Sequence, residues 1–437
     1  MTILEVSKII NGKVNNCSLK KKIRNIKFDS KKVKKNDLFI CIKGKNKDGH
    51  DYIKEAIKNG AVAVITSRKL DNIPNIEVKD TLSALKQLAF YKRNKFLGTV
   101  IAVTGSVGKT TTKEMLSNVL KTKYNVISNE GSKNNIYGLS ETIFKLKKED
   151  ILLVEFGMNH TGEIEELSKI CRPSISIITN IGSSHIGNLK SKRKIYKAKI
   201  EIIKGMNKGK LIVNNDDKYL RKTKLKNIKL IKVGFSGKDI KCNDYKILND
   251  KTEFTVKINN KLENFTLNLP GKHFVNNALL VIATSLNMGI DITDIKSSLK
   301  KFVSYDRRYK IYRKNNIILI DDSYNSSYES LKANLKTLND KSDKLLIVGD
   351  ILELGKKSKK IHKKVGKLLD IPNSTTIVVG QNMSILKNKY KHFFNSEDVI
   401  KYLKTIDLKN KTILVKGSNK IGLDKVSDYI RCQFDIK

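Results

Sequence analysis

Eight short apolar runs, each closed by a polar or glycine-bearing turn, constrain this chain more than any other feature. Four lie in its middle: TVIAVTG (99–105), ILLVEFG (151–157), ISIITNIG (175–182) and KLIVNNDD (210–217). Four follow: IILIDD (317–322), KLLIVGD (344–350), TTIVVG (375–380) and TILVKGS (412–418). Runs that are apolar on both faces and separated by helix-length segments belong to parallel strands covered by helices. Two α/β units with mostly parallel sheets are therefore expected, with ligands at the carboxyl ends of the strands, where the polar residues collect.

A third, mixed α/β unit is expected before them, over residues 1–97, with short strands around one helix from Tyr52 to Asn59. The polar stretch YKRNKFLG (91–98) reads as the link to a central unit spanning 98–303. That unit ends after the helix ITDIKSSLKKF, with the join at Val303 to Asp306, and residues 304–437 form the last unit. No run reaches the roughly 20 apolar residues of a spanning helix, so the chain is expected in the cytosol without stable membrane insertion.

The strand at 99–103 runs into Gly105-Ser106-Val107-Gly108-Lys109-Thr110-Thr111, and an amphipathic helix with Met115, Leu116, Val119 and Leu120 on one face follows. Strand, glycine turn, Gly-Lys-Thr and helix make a phosphate loop: backbone N–H groups cradle phosphates, Lys109 neutralises charge and a threonine hydroxyl reaches Mg²⁺. A Walker loop wants glycine where Val103 stands, and no NKxD base-reading sequence follows a strand, which argues against a GTP switch. Glu155 and His185 close the next two strand segments and project at the same sheet edge, as suits a divalent metal held against phosphate oxygens. A histidine in that position also serves as a surface or capping residue.

Composition adds exclusions. Lys and Arg number 87 against 43 Asp and Glu, a formal net charge of +44. The lysines are dispersed among Asn and Ile rather than gathered in a groove, and no aromatic-basic motif appears, so nucleic acid is not expected as a partner. Five scattered cysteines with no CxxC pair argue against a disulfide framework and a thiolate zinc site.

Motifs along almost the whole chain resemble the Mur ligases, ATP-dependent amide-forming enzymes of peptidoglycan precursor synthesis. They are TGSVGKTTTKEM, GSKNNIYGLSETI, VEFGMNHTGEIEELSKICRP, TNIGSSHIGNLKS, YKAKIEII, NNDD, GKHFVNNALLVIA, DDSYNSSYESLKANL, GDILELGKKS and VKGS. GDILELGKKS with DDSYN points to the branch that adds D-alanyl-D-alanine to UDP-N-acetylmuramoyl-tripeptide. The DNPR motif of the diaminopimelate-adding branch is absent.

The resemblance implies an acyl-phosphate mechanism with ATP and Mg²⁺. It places Lys109 on the terminal phosphates, Thr110 and Glu155 on one Mg²⁺, and His185 on a second. Lys199 aligns with a lysine that many relatives carry as a carbamate, although a helix-surface lysine is the ordinary fate of this residue. Asn277 would read adenine, or else cap a helix, while Arg308, Asp322 and Asn325 would close over the nucleotide from a Rossmann-like C-terminal unit. Ser30, Lys31 and the Asp48-Gly49-His50 turn would hold the uridine-nucleotide substrate, together with Asn134 and Asn135. A monomer is expected.

The chain departs from the family at Lys31 (DSR), Ser132 (GNxNN), Ser140 (a common proline) and Asn419 (KGSR), which leaves Asn419 or Lys420 for the D-alanyl-D-alanine carboxylate. Two other readings share the phosphate loop. One is a different Mur-type or folylpolyglutamate synthetase-like ligase; the other is a basic nucleic-acid-dependent NTPase.

Overall fold

A computed structural model describes residues 1–44, 46–248, 250–338 and 343–435. All eight apolar runs become strands, and they distribute over two of three separate sheets. In the middle sheet Val126–Ser128, Ile151–Glu155, Thr99–Thr104, Ile175–Ile178, Lys210–Asn214, Lys229–Gly234 and Ile240–Leu248 lie side by side in parallel. Val100 to Val103 are at most 1% exposed, which is why both faces of the run are apolar. The helices Lys109–Leu120 and Lys272–Asn287 pack on each other and on these strands.

Thr99–Thr104 sits between Ile151–Glu155 on one side and Ile175–Ile178 on the other. Connections leave this strand in both directions, which opens a crevice at the carboxyl edge, where such sheets bind ligands. Val103 lies within the strand, paired with Glu155 and Ile177. The loop starts only at Gly105, so the glycine of a longer Walker loop has no place at Val103.

The last sheet is Rossmann-like. Ile317–Asp322, Thr412–Lys416, Lys344–Gly349, Ser374–Val379 and Lys391–Phe393 run in parallel, with Lys310–Lys314 antiparallel at one edge. The first sheet carries Ile26–Lys27, Asp37–Ile40, Ala61–Thr66 and Asn75–Glu77 in parallel and Lys13–Asn15 antiparallel at the edge.

The first unit holds more helix than the sequence reading anticipates. Ile53–Lys58 falls inside the expected helix, but Ile3–Ile10 and Thr81–Asn94 join it. Ile3–Ile10 opens with a capping box in which Thr2 and Glu5 satisfy each other's backbone N–H, and it buries Ile3, Val6 and Ile10. Thr81–Asn94 is capped by Asp80, whose carboxylate accepts from Leu82 and Ser83 N–H.

That second helix runs through the first half of the stretch read as a linker. Leu85 and Leu88 are fully buried, each worth about 2 kcal/mol, and this outweighs the polar character of its end. Arg93 then donates to the carbonyls of Cys171, Phe96 and Arg172, and Lys86 pairs with Glu166 of the central helix Glu163–Cys171.

The middle sheet also gains an unanticipated hairpin, Lys251–Ile258 against Lys261–Leu267. Thr252, Phe254 and Val256 alternate inward, and Asn259 and Asn260 turn the chain with φ of 47° and 64°. Asparagine tolerates this left-handed pair, which matches strand twist. The join to the last unit follows the helix Ile292–Lys301. Arg307 there reaches Asp424 and Asp428 of the last unit.

Candidate functional site

At the carboxyl edge of the middle sheet lies a cleft of about 1080 Å³, lined by the phosphate loop, by the ends of neighbouring strands and by the C-terminal unit. Gly105 and Gly108 shape the loop. A Cβ on Gly105, at φ 151°, would fall 1.9 Å from Thr179 Oγ1, and one on Gly108, at φ 83°, would fall 2.8 Å from Asn277 Oδ1. No other residue type fits both positions.

The segment Thr179-Asn180 clamps the loop from the next strand. Asn180 Oδ1 accepts from Val107 N–H at 3.0 Å, Asn180 Nδ2 donates to Val107 O at 2.8 Å, and Thr179 Oγ1 donates to the same carbonyl at 2.6 Å. Ser106 Oγ is buried among these groups without a protein partner, and it lines the cleft. An oriented hydroxyl of this kind is suited to a phosphate oxygen.

Thr110 Oγ1 donates to Glu155 Oε2 at 2.6 Å, while Asn134 Nδ2 donates to Glu155 Oε1 at 2.8 Å. Both Thr110 and Glu155 are buried. Asn129 fixes the strand end by accepting from Glu155 N–H at 2.9 Å. A hydroxyl beside a carboxylate is a hard-oxygen donor set that fits Mg²⁺. Among the described residues no three His, Cys, Asp or Glu side chains converge. This suits a metal that keeps water and phosphate oxygens as most of its ligands.

Lys109 turns back so that Nζ donates to Gly105 O at 3.0 Å, and burial lowers its pKa below that of a free lysine. Lys199, on the helix Lys192–Ile200, is 1% exposed. A surface lysine is thereby excluded. Burial first, and the nearby Lys109 charge second, hold its pKa well below the ordinary value, while Glu155 opposes them. A lysine so placed is held toward its neutral, nucleophilic amine.

Asn277 stands inside the helix Lys272–Asn287, whose N-cap is Gly271, so it caps nothing; its amide faces Gly108 of the loop. His185 lines the cleft at the start of the short helix Ile186–Leu189, with φ 60° and no capping hydrogen bond from its side chain. From the C-terminal unit, Arg308 lies 4.0 Å over the Tyr324 ring, and Asp322 accepts from Lys416 Nζ and, at 2.6 Å, from Asn334 Nδ2. Asn325 lines the cleft, and its carbonyl accepts from Lys416 Nζ at 3.0 Å. His273 sits between Phe274 and Tyr309; although its edge reaches the cleft, burial, with the Lys416 charge nearby, pushes its pKa down to about 3.

Comparison with known proteins covers the same span. Residues 22–102 match the description "Mur ligase family, catalytic domain", residues 103–285 "Mur ligase middle domain" and residues 307–419 "Mur ligase, glutamate ligase domain". The UDP-N-acetylmuramoyl-tripeptide--D-alanyl-D-alanine ligase of Rickettsia prowazekii is 35% identical over 92% of this chain and 94% of its own length. The chain belongs to the Mur ligase family.

The Escherichia coli protein of the same name is 30% identical over 98% of this chain and 97% of its own. Among solved structures, MurF from Acinetobacter baumannii superposes with a TM-score of 0.92 at 29% identity, covering 98% of both chains. MurF from Thermotoga maritima in complex with ADP gives 0.86 at 30% identity, covering 94% of this chain and 98% of that one.

In this Mur ligase the residues expected at the uridine nucleotide divide. Asn134 and Asn135 line the cleft, Asn134 at the Glu155 corner and Asn135 as N-cap of the helix Ile136–Phe144. Ser30, Lys31, Asp48, Gly49 and His50 stand in the first unit, away from the cleft lining. Ser30 Oγ donates to Glu55 at 2.6 Å, and Lys31 is exposed. Ser67 N–H donates to His50 Nε2 at 3.1 Å, leaving the ring proton on Nδ1, 2.6 Å from Asp48 Oδ1. Asp48 also accepts from Arg68 at 2.7 Å, and the His50 N–H above all lowers its pKa to about 2. A Cβ on Gly49 would lie 2.5 Å from Ile42 N.

Sequence reasoning missed Thr179, Asn180, Tyr324 and Lys416. Each stands in a quoted motif, TNIG, DDSYN or VKGS, but its partner is far away in the chain. Tyr324 Oη, for example, meets Ser132 Oγ from the central unit.

Proposed function

We propose that this chain ligates D-alanyl-D-alanine to UDP-N-acetylmuramoyl-tripeptide with ATP, giving the pentapeptide precursor of peptidoglycan, ADP and phosphate. The observation that carries the reading is the convergence, in one cleft, of a phosphate loop, the Thr110–Glu155 pair and C-terminal residues arranged to close over a nucleotide. In the first step a carboxylate oxygen of the tripeptide bonds to the γ-phosphorus as the bond to ADP breaks, forming an acyl phosphate. In the second, the dipeptide amine, having lost its proton, bonds to that carbonyl carbon and phosphate leaves.

Two anions must meet for the first step, and positioning with positive charge is what such a transfer requires. The loop N–H groups, Ser106 and Lys109 orient the phosphates. Mg²⁺ would be held by Thr110 and Glu155, with a second ion at His185, and supplies neutralisation of charge on the transferring group. Asn277 and Arg308 bound the nucleotide, with Asp322 and Asn325 fixed by Lys416. Ser30, Lys31 and the Asp48–His50 turn hold the uridine end.

The three sheets correspond to working units at 1–97 for the muramoyl substrate, 98–303 for ATP and 304–437 for closure. All three contribute from a single chain, which supports action as a monomer. Among the described residues no helix is long and apolar enough to cross a membrane, and we place the reaction in the cytoplasm.

The buried, neutral-leaning Lys199 amine supports carbamylation: CO₂ adds to nitrogen, a proton leaves, and an anionic oxygen donor replaces a cation. Under bicarbonate depletion wild-type activity is expected to fall by tenfold or more and to recover on its addition, with Lys199→Ala unresponsive. A bicarbonate response retained in Lys199→Ala would remove the carbamate. The ligation itself is tested by phosphate release with UDP-muramoyl-tripeptide, comparing D-alanyl-D-alanine with single amino acids. Turnover with a free diamino acid and the dipeptide precursor alone would replace this reading with the diaminopimelate- or lysine-adding one.

A further inference from the structure

The loop carrying GDILELG, residues 349–355, lies directly against the segment that follows His185. Gly187 N–H donates to the Glu353 carbonyl at 2.9 Å. A Cβ on Gly187 would stand 2.6 Å from that oxygen, and one on Gly355, at φ 54°, would stand 2.9 Å from Gly187 Cα. Backbone therefore meets backbone across the two units.

At this contact two residues other than glycine hold left-handed backbone, His185 at φ 60° and Glu353 at φ 62°. Such a conformation is strained, and it persists where the surroundings over-determine it, often at functional sites. The two side chains are in ion-pair contact, His185 Nδ1 standing 2.6 Å from Glu353 Oε2 but off the line of a hydrogen bond, so that the buried Nδ1 has no aligned partner among the described residues. The Glu353 side chain is 52% exposed, so packing alone gives it little reason to be held there. An imidazole that turns one nitrogen to a carboxylate offers the other to a metal, and histidine ligands are commonly oriented in this way.

We propose that Glu353 is a positioning residue: its carboxylate fixes the His185 ring so that Nε2 is available to the second metal, and docking of the C-terminal unit thereby completes that position. The inference rests on the assignment of His185 to a second Mg²⁺ in the proposed function. Nucleotide binding and metal loading are then linked to closure through one side chain. The Thr110–Glu155 position forms without it.

The test uses the full chain with a non-hydrolysable ATP analogue and Mn²⁺ in place of Mg²⁺, bound Mn²⁺ being read by electron paramagnetic resonance. Wild type is expected to take two ions. Glu353→Gln keeps the first and weakens the second by about tenfold or more. Glu353→Gly removes the carboxylate and relieves the positive φ, so the same loss with an undiminished Tm separates orientation from failed docking. Second-ion affinity equal to wild type in both variants overturns the proposal. No muramoyl substrate enters this titration, so an error in the assigned ligation shows as missing amide product in wild type and leaves the Mn²⁺ result to stand on its own.

Discussion

At the Thr110–Glu155 corner every supporting group comes from the middle sheet and its loops, whereas the His185 side of the same cleft is made by two units meeting. The corner is buried and tied by Asn129, Asn134 and backbone bonds. Across the seam, Ser183 Oγ donates to Glu329 at 2.6 Å, Lys192 pairs with Glu329 at 3.0 Å, and Gly187 meets Glu353. The difference teaches where preorganisation ends and assembly begins. One half of the site needs only the middle sheet and its loops; the other needs groups from both units.

The largest effect should come from the preorganised half. Glu155→Ala leaves Thr110 and the Asn134 amide without their acceptor, and is expected to lower kcat by about 10³-fold, as loss of several kcal/mol of charge stabilisation implies. Calorimetry should show ADP binding that no longer strengthens with Mg²⁺; Mg²⁺-dependent binding intact in this variant would break the distinction between the two halves.

A smaller effect is expected at the seam. Glu329→Gln removes a charge-assisted contact, about 1 kcal/mol after solvent screening, and should lower kcat roughly fivefold while leaving the KM for ATP nearly unchanged. A rise in KM for ATP with kcat intact would place Glu329 on nucleotide binding instead of closure.

The smallest effect at neutral pH concerns stability, and it grows only on acidification. His273 has its pKa lowered to about 3, so between that value and the ordinary 6.5 the unfolded chain binds a proton that the folded chain refuses. Stability should therefore fall as pH drops from 6.5 toward 3, by at most about 1.4 kcal/mol per pH unit and less where cleft water screens the ring. Chemical denaturation of His273→Phe across this range should give a flatter profile; an unchanged slope would assign the acid sensitivity to other groups.

The same division marks what the sequence reveals. Strand cores and the phosphate loop are written locally, because an apolar run or a Gly-Lys-Thr turn carries its own structural reason. Val103 shows the benefit: as a buried strand residue it explains why the loop lacks an early glycine. The helices Ile3–Ile10 and Thr81–Asn94 also had local signals, Thr2 with Glu5 and Asp80, although the polar residues between the apolar ones hid them. Contacts across the seam carry no such trace. Glu353 is 168 positions from His185, and nothing in either neighbourhood announces the other. Lys199 lies between these cases: its motif pointed to the site, but only burial separates it from the many solvated lysines.

The helix Thr81–Asn94 has a mechanical consequence. Because it runs without a break toward the middle sheet, and Arg93 and Lys86 fasten it there, the first two units are tied by side-chain contacts as well as by the chain itself. The join to the last unit at Phe302–Tyr309 has no such continuous helix, and Arg307 and Tyr309 hold left-handed backbone there at φ 60° and 59°. The two joins thus differ in covalent continuity: a shared helix carries the chain from the first unit into the second, whereas a turn carries it into the third.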